Sequence, residues 1–161
     1  MQSLYLAGPY SWQAKILEYA NQLEELGYSI TAEWLTQEVS FTNADNSTNL
    51  KKPGLHADCQ RLSNRDIRNI FEADTLVLFE PGIPLERNTR VAEFGLALGI
   101  GRQCVVIQPE DEDKKDVLSN IFVKFQEVPP ELSRYNLKPV WEFRCWEDFL
   151  TAADIIACAK S

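Results

Sequence analysis

The chain has 161 residues, 45% of them apolar and 25% charged, and a formal charge of -8. That length suits a single domain with a real hydrophobic core. The charge excludes nucleic acid polymers and anionic membranes as main partners, because both require basic surfaces. A small anionic ligand needs only a local cluster of donors and stays open.

Ser3 to Ala7 is a short apolar run stopped by Gly8-Pro9, which predicts a buried first strand. Ser11 is placed to N-cap a helix with Ile16, Leu17, Ala20, Leu23 and Leu26 at helical spacing, ended by Gly27. Tyr28 to Leu35 returns to strand-like alternation. Thr36 to Gly54 is polar and aperiodic, too long for a simple connection, and reads as a flap or mobile loop. Ala57 to Ala73 predicts a helix with Leu62, Ile67, Ile70 and Phe71 turned inward. Asp74 to Phe79 is a continuous apolar strand of the kind buried on both faces of a parallel sheet. An Arg-rich turn, a helix bearing Glu93 and a strand from Cys104 to Gln108 follow. Glu110 to Lys115 reads as a solvated loop or helix start, and Phe143 to Ala159 as an amphipathic helix.

Strands alternating with helices predict a parallel α/β sheet with right-handed crossovers, and no repeat or boundary divides residues 1–161. Such sheets bind ligands beyond the carboxyl ends of their strands, near a switch in strand order. Cys59, Cys104, Cys145 and Cys158 form no C-x-x-C pair, and Cys104 and Cys158 read as small buried apolar residues. The lone histidine, His56, gives no zinc ligand set and has no nucleophile elbow around a serine, so neither a metal nor Ser-His-Asp catalysis is expected. The N-terminus lacks a basic n-region and no apolar run is long enough to span a membrane, which points to a reduced, cytoplasmic compartment.

Glu93 is the leading candidate. It places one carboxylate inside Arg90-Val91-Ala92-Glu93-Phe94-Gly95-Leu96-Ala97-Leu98-Gly99, where a charge is costly unless geometry uses it. With Asn88 or Thr89 as N-cap, the helix dipole favours its ionised form. It either complements that dipole or attacks carbon in a partly dry site. Asp66 shares a helical face with Leu62 and Ile70, so it is either paired structurally or functional. Asp74 reads as structural, at the strand entrance. Gly8, at the exit of the first strand, offers a helix N-terminus to a phosphate, or is a plain turn. Arg87 and Arg90 can bind phosphate or pair with Glu86. Tyr10, Trp12, Trp34 and Phe41 offer faces for a planar ring, or serve as core and surface anchors.

Tyr5-Leu6-Ala7-Gly8-Pro9-Tyr10, Asp66-Ile67-Arg68-Asn69-Ile70-Phe71-Glu72-Ala73-Asp74, Val91 to Gly99, and Phe143-Arg144-Cys145-Trp146-Glu147-Asp148-Phe149 come in an order and spacing that resembles the nucleoside 2-deoxyribosyltransferase family, including relatives that hydrolyse nucleotide N-glycosidic bonds. The resemblance covers most of the chain. It implies a flavodoxin-like three-layer fold with a five-stranded parallel sheet. It makes Glu93 the nucleophile that attacks C1′, Asp66 the residue that orients the substrate and moves a proton to the leaving base, and Tyr5, at the end of the first strand, the holder of the Glu93 carboxylate. A homo-oligomer is implied, with Ser119 and Asn120 standing where a neighbouring subunit completes the site.

The pattern departs from the family in one informative place. Transferases of free nucleosides tend to carry an acidic residue six positions before the nucleophile, against the 5′-hydroxyl. Here that position is Arg87, followed by Asn88, and a cation there implies a 5′-phosphate. The turn also lacks the usual glycines, Gln103 replaces the common proline, and the segment from Glu110 to Pro139 is long. The expected activity is cleavage of the N-glycosidic bond of a (deoxy)nucleoside or its 5′-monophosphate, through a covalent glycosyl-Glu93 intermediate, with transfer of the sugar to another base. The alternatives are hydrolysis by water and a non-catalytic nucleotide-binding module. No organic cofactor is required.

Overall fold

The computed structural model describes residues 2–36, 55–80, 89–108, 128 and 130–159. Among them β1 (Ser3–Ala7), α1 (Gln13–Glu25), β2 (Ser29–Ile30), α2 (Leu55–Glu72), β3 (Thr75–Phe79), α3 (Thr89–Gly99), β4 (Gln103–Ile107), β5 (Val140–Phe143) and α4 (Trp146–Cys158) follow one another. The five strands form one parallel sheet in the order β2-β1-β3-β4-β5. This is the flavodoxin-like order, in which the chain's direction of progress reverses between β1 and β3.

The sheet is central because its three inner strands, β1, β3 and β4, are buried on both sides. Every residue of β3 is buried, as a strand covered by helices on both faces requires. On one face α1 and α4 pair. Tyr19 stacks on Trp146 with ring centroids 4.2 Å apart, Trp146 Nε1 donates to Gln22 Oε1 at 2.8 Å, and the Tyr28 hydroxyl donates to Ala153 O at 2.9 Å. On the other face α2 packs beside α3. Asp74 keeps the structural role expected of it: its carboxylate accepts from the Ser3 amide at 2.9 Å and from Ser3 Oγ at 3.0 Å. These bonds hold its pKa below the ordinary carboxylate value and tie the starts of β1 and β3 together.

Several local expectations are corrected. Ser11 does not cap α1, because a short 3-10 turn over Tyr10–Trp12 precedes the helix and Trp12 takes the cap position. Gly27 does end the helix, at φ 86°, a left-handed conformation that glycine adopts without a Cβ penalty. Tyr28 to Leu35 is a strand only over Ser29–Ile30 and then a 3-10 turn over Glu33–Thr36. The apolar residues there record burial rather than extension: Trp34 is buried and its indole N–H donates to Leu6 O at 2.7 Å.

Ile67 and Phe71 point outward, 45% and 50% exposed. The inward face of α2 runs through Leu62, Asn69 and Ile70, and the 3.6-residue period rotates Ile67 and Phe71 away from it. The final helix begins at Trp146, and Val140–Phe143 forms the edge strand β5. With Trp141 and Glu142 exposed and only four residues, that strand leaves little alternation to read. Cys104 is buried, which pushes its thiol up to about 12, whereas Cys158, the last residue of α4, is exposed. The polar stretch from 37 to 54 and the acidic segment from Glu110 to Lys115 lie outside the described residues.

Candidate active site

Parallel sheets expose their strand ends at the switch between β1 and β3, and the candidate residues gather beside it. Tyr5 is the central residue of β1 rather than its end. Its ring is fully buried, and alternation along the strand turns it toward the layer of α2 and α3. There its hydroxyl donates to Glu93 Oε1 at 3.1 Å. Glu93 stands on α3 one turn beyond its start, preceded by Arg90 and followed by the buried Phe94. Asp66 projects from α2 close enough to bear on both Tyr5 and Glu93 electrostatically. Three residues far apart in sequence are thus close enough to act on one another.

Electrostatics give each group a distinct state. Burial, followed by the charge of Asp66, pushes the Glu93 carboxyl up to about 7, against the Tyr5 hydrogen bond and the guanidinium groups of Arg65 and Arg90. Desolvation therefore outweighs the helix dipole that favoured the ionised form, because Glu93 lies past the first turn, where the dipole acts most strongly. Burial and the Glu93 charge also raise the Tyr5 hydroxyl well above its ordinary range. Tyr5 remains a neutral phenol that donates. Burial raises the Asp66 carboxyl as well, opposed by Arg65. Both carboxyls thus hold their protons more readily than ordinary carboxylates, and for Glu93 the charge of Asp66 is part of the reason.

Arg65, which sequence reasoning passed over, donates to Asp66 Oδ1 from Nε at 3.0 Å and from Nη2 at 2.8 Å. Both side chains are largely sheltered, at 16% and 20% exposure. Glu80 and Arg90 form a second pair, 3.3 Å apart, at the exit of β3 and the start of α3. Glu80 had a legible signal, an acid directly after the apolar run Leu76 to Phe79, at the end where such sheets bind ligands. Arg65 had only its place beside Asp66. The amide of Asn69, one turn after Asp66, is buried, and among the described residues neither its Oδ1 nor its Nδ2 has a partner.

The remaining expected contacts divide. Gly8 directly follows β1, and a Cβ there would run into Ile16 Cδ1, so close packing already explains its small size. Tyr10 is half-buried beside Trp34, with ring centroids 6.4 Å apart. Arg87, Asn88, Ser119 and Asn120 lie outside the described residues. Among the described residues no group of three His, Cys, Asp or Glu side chains could hold a metal ion, and no helix is long and apolar enough to cross a membrane.

Fold and site together define a doubly wound, flavodoxin-like α/β protein with two carboxylates and a tyrosine beside its topological switch. No protein-family model and no curated protein matches the sequence. Among solved structures, the CMP N-glycosidase BcmB from Clostridium botulinum matches with a TM-score of 0.51 and 18% sequence identity, over 96% of this chain and 99% of that one. The likeness is one of fold, and it runs the whole length of both chains.

Proposed function

We propose that this protein is an enzyme of the nucleoside 2-deoxyribosyltransferase type, a single domain over residues 1–161, that cleaves the N-glycosidic bond of a nucleoside 5′-monophosphate. The observation that carries the reading is the Tyr5–Glu93 hydrogen bond of 3.1 Å, with Asp66 beside it at the switch point of the sheet. The motifs that resemble the family fall on these three residues, and the whole-length likeness to a solved CMP N-glycosidase supports the same reaction class.

In the proposed mechanism a Glu93 oxygen attacks C1′ of the sugar as the C1′–N bond breaks. The bond's electron pair passes to the base nitrogen, and Asp66 delivers the proton that neutralises it. Tyr5 holds the attacking carboxylate in one orientation and, as a donor, favours its ionised form. The glycosyl ester is then opened at C1′ by water, whose proton returns to Asp66, and Glu93 is released as a carboxylate. Two displacements give net retention, the logic of retaining glycosidases.

Water is the acceptor supported by the likeness to a glycosidase. Transfer to a second base is the other reading, supported by the family resemblance of the motifs. Chromatography of common nucleosides and their monophosphates, with and without a second free base, separates the two. Sugar phosphate formed without an acceptor marks hydrolysis, and exchange product that requires the acceptor marks transfer. Glu93→Ala should fold, by circular dichroism, and lose at least about a thousandfold in base release. Retention of more than a few per cent of activity refutes the nucleophile assignment. A cytoplasmic homo-oligomer completes the proposal, and light scattering on the purified protein tests the assembly.

A further inference from the structure

We infer that Glu80 is a positioning residue that holds the Arg90 guanidinium one helical turn short of Glu93, so that the carboxylate feels a nearby cation without being paired to it. The inference rests on the proposed role of Glu93 as nucleophile. Arg90 and Glu93 are three apart on α3, a spacing that makes them neighbours on one helical face, with Cβ atoms about 5–6 Å apart. Arg90 could therefore reach Glu93, and something must direct it elsewhere.

Stability alone does not favour the arrangement observed. A cation in the first turn of a helix opposes the macrodipole, and α3 has no acidic residue in that turn to offset it. A buried ion pair often fails to recover its desolvation cost, yet the Arg90 and Glu80 side chains are only 10% and 3% exposed and meet at 3.3 Å. Glu80 is well anchored for the task. It continues directly from β3, and its amide donates to Ile107 O at 3.1 Å, which ties it to the rigid centre of the sheet. Arg90 Nε is buried with no acceptor among the described residues, so Glu80 satisfies the guanidinium only in part and its field extends past the pair.

The consequence is chemical. A guanidinium closed onto Glu93 would form a charge-assisted, bidentate pair and tie up the oxygens that must attack carbon. Tied to Glu80, it lends only its field, which lowers the pH at which Glu93 ionises. Among the described residues, the titratable and charged groups acting on Glu93 are Tyr5 from β1, Arg65 and Asp66 from α2, and Arg90 from α3. Glu80, at the end of β3, stands behind Arg90. Asp66 opposes ionisation and the other three groups acting on Glu93 favour it.

The test is a carbon-13 NMR titration of protein labelled at the glutamate carboxyl carbons, with the Glu93 signal identified by its loss in Glu93→Gln. Arg90→Gln should move the Glu93 midpoint up by about one pH unit, and Glu80→Gln should move it down by a similar amount as the freed guanidinium turns onto Glu93. Glu80→Gln should also lower the maximal rate of base release about tenfold or more. Arg90→Lys, which keeps the charge, should stay close to the wild-type midpoint. Shifts in the same direction for Glu80→Gln and Arg90→Gln, or no shift in either, overturn the inference. Should Glu80→Gln fail to fold, equal midpoints in Arg90→Gln and Arg90→Lys overturn it. Opposite shifts in a protein that releases no base uphold the clamp and refute the catalytic reading, and base release with unmoved midpoints does the reverse.

Discussion

Replacing Glu93 by Gln removes a charge that the fold disfavours, and the effect on stability should depend on pH. The Glu93 carboxyl moves from an ordinary 4.5 to about 7 on folding, first through burial and then through Asp66. Below the lower value both folded and unfolded chains carry the proton, and its full stabilising contribution is present. As pH rises through the window, the unfolded chain releases the proton first, so the folded state is progressively disfavoured until Glu93 itself ionises. At roughly 1.4 kcal/mol per pH unit, the gap corresponds to a loss of about 3 kcal/mol above the folded value. Gln keeps the shape and an oxygen for the Tyr5 hydroxyl but never ionises. Glu93→Gln should therefore match the wild type at about pH 4.5 and exceed it by about 2–3 kcal/mol at about pH 8. For a chain of this size that is a rise in Tm of about 5–10 °C. Thermal melts of both proteins across this range measure the difference. A Tm gap that does not change with pH, or a Gln variant that melts lower on the alkaline side, would refute a Glu93 pKa raised by burial.

Tyr5→Phe removes the donor that favours ionised Glu93, so the rising limb of the pH–rate profile should move up by about one pH unit, with a ten- to hundredfold loss at neutrality that is partly recovered at higher pH. An unmoved limb would remove Tyr5 from the site. Asp66→Asn takes away the charge that opposes Glu93 ionisation, so the same limb should move down, while base release falls by about two to four orders of magnitude for want of a proton donor. A substrate with a better leaving group should regain part of that loss, and equal losses for both substrates would argue against proton donation. Gly8→Ala forces a Cβ against the fully buried Ile16, and should cost about 1–3 kcal/mol in a urea titration. A neutral effect would show that the turn yields easily and would reopen a ligand-binding reason for the glycine.

The candidate site residues were legible for different reasons. Glu93 stood out because a carboxylate inside an apolar helical run is expensive, and the structure shows the expense as a carboxyl that resists ionisation until about 7. Asp66 stood out by sharing a helical face with Leu62 and Ile70, both of which are buried. Tyr5 was named through family resemblance alone. Within its strand it reads as one more core residue, and only the depth of its ring and the approach of α3 turn its hydroxyl toward Glu93. Arg65 and the Glu80–Arg90 pair were not assembled from sequence at all. Arginines beside acids are common on solvated surfaces, and the pattern does not distinguish a surface pair from one that is nine-tenths buried.

Local periodicity carries information about elements because each element must hide its own apolar face. The sequence by itself determined the alternation of strands and helices, the buried central strand from Thr75 to Phe79 and the glycine stop at Gly27. It misread Tyr28 to Leu35 and the directions of Ile67 and Phe71, where apolar character and burial follow different rules. Tertiary structure alone decided that the Tyr5 hydroxyl meets Glu93 with Asp66 close enough to act on both, and that Arg90 pairs with Glu80. Those arrangements join residues on three or more elements. Their energies depend on desolvation and on distances of 3 to 6 Å (roughly the reach of a side chain pair), quantities that exist only once the sheet has brought the elements together.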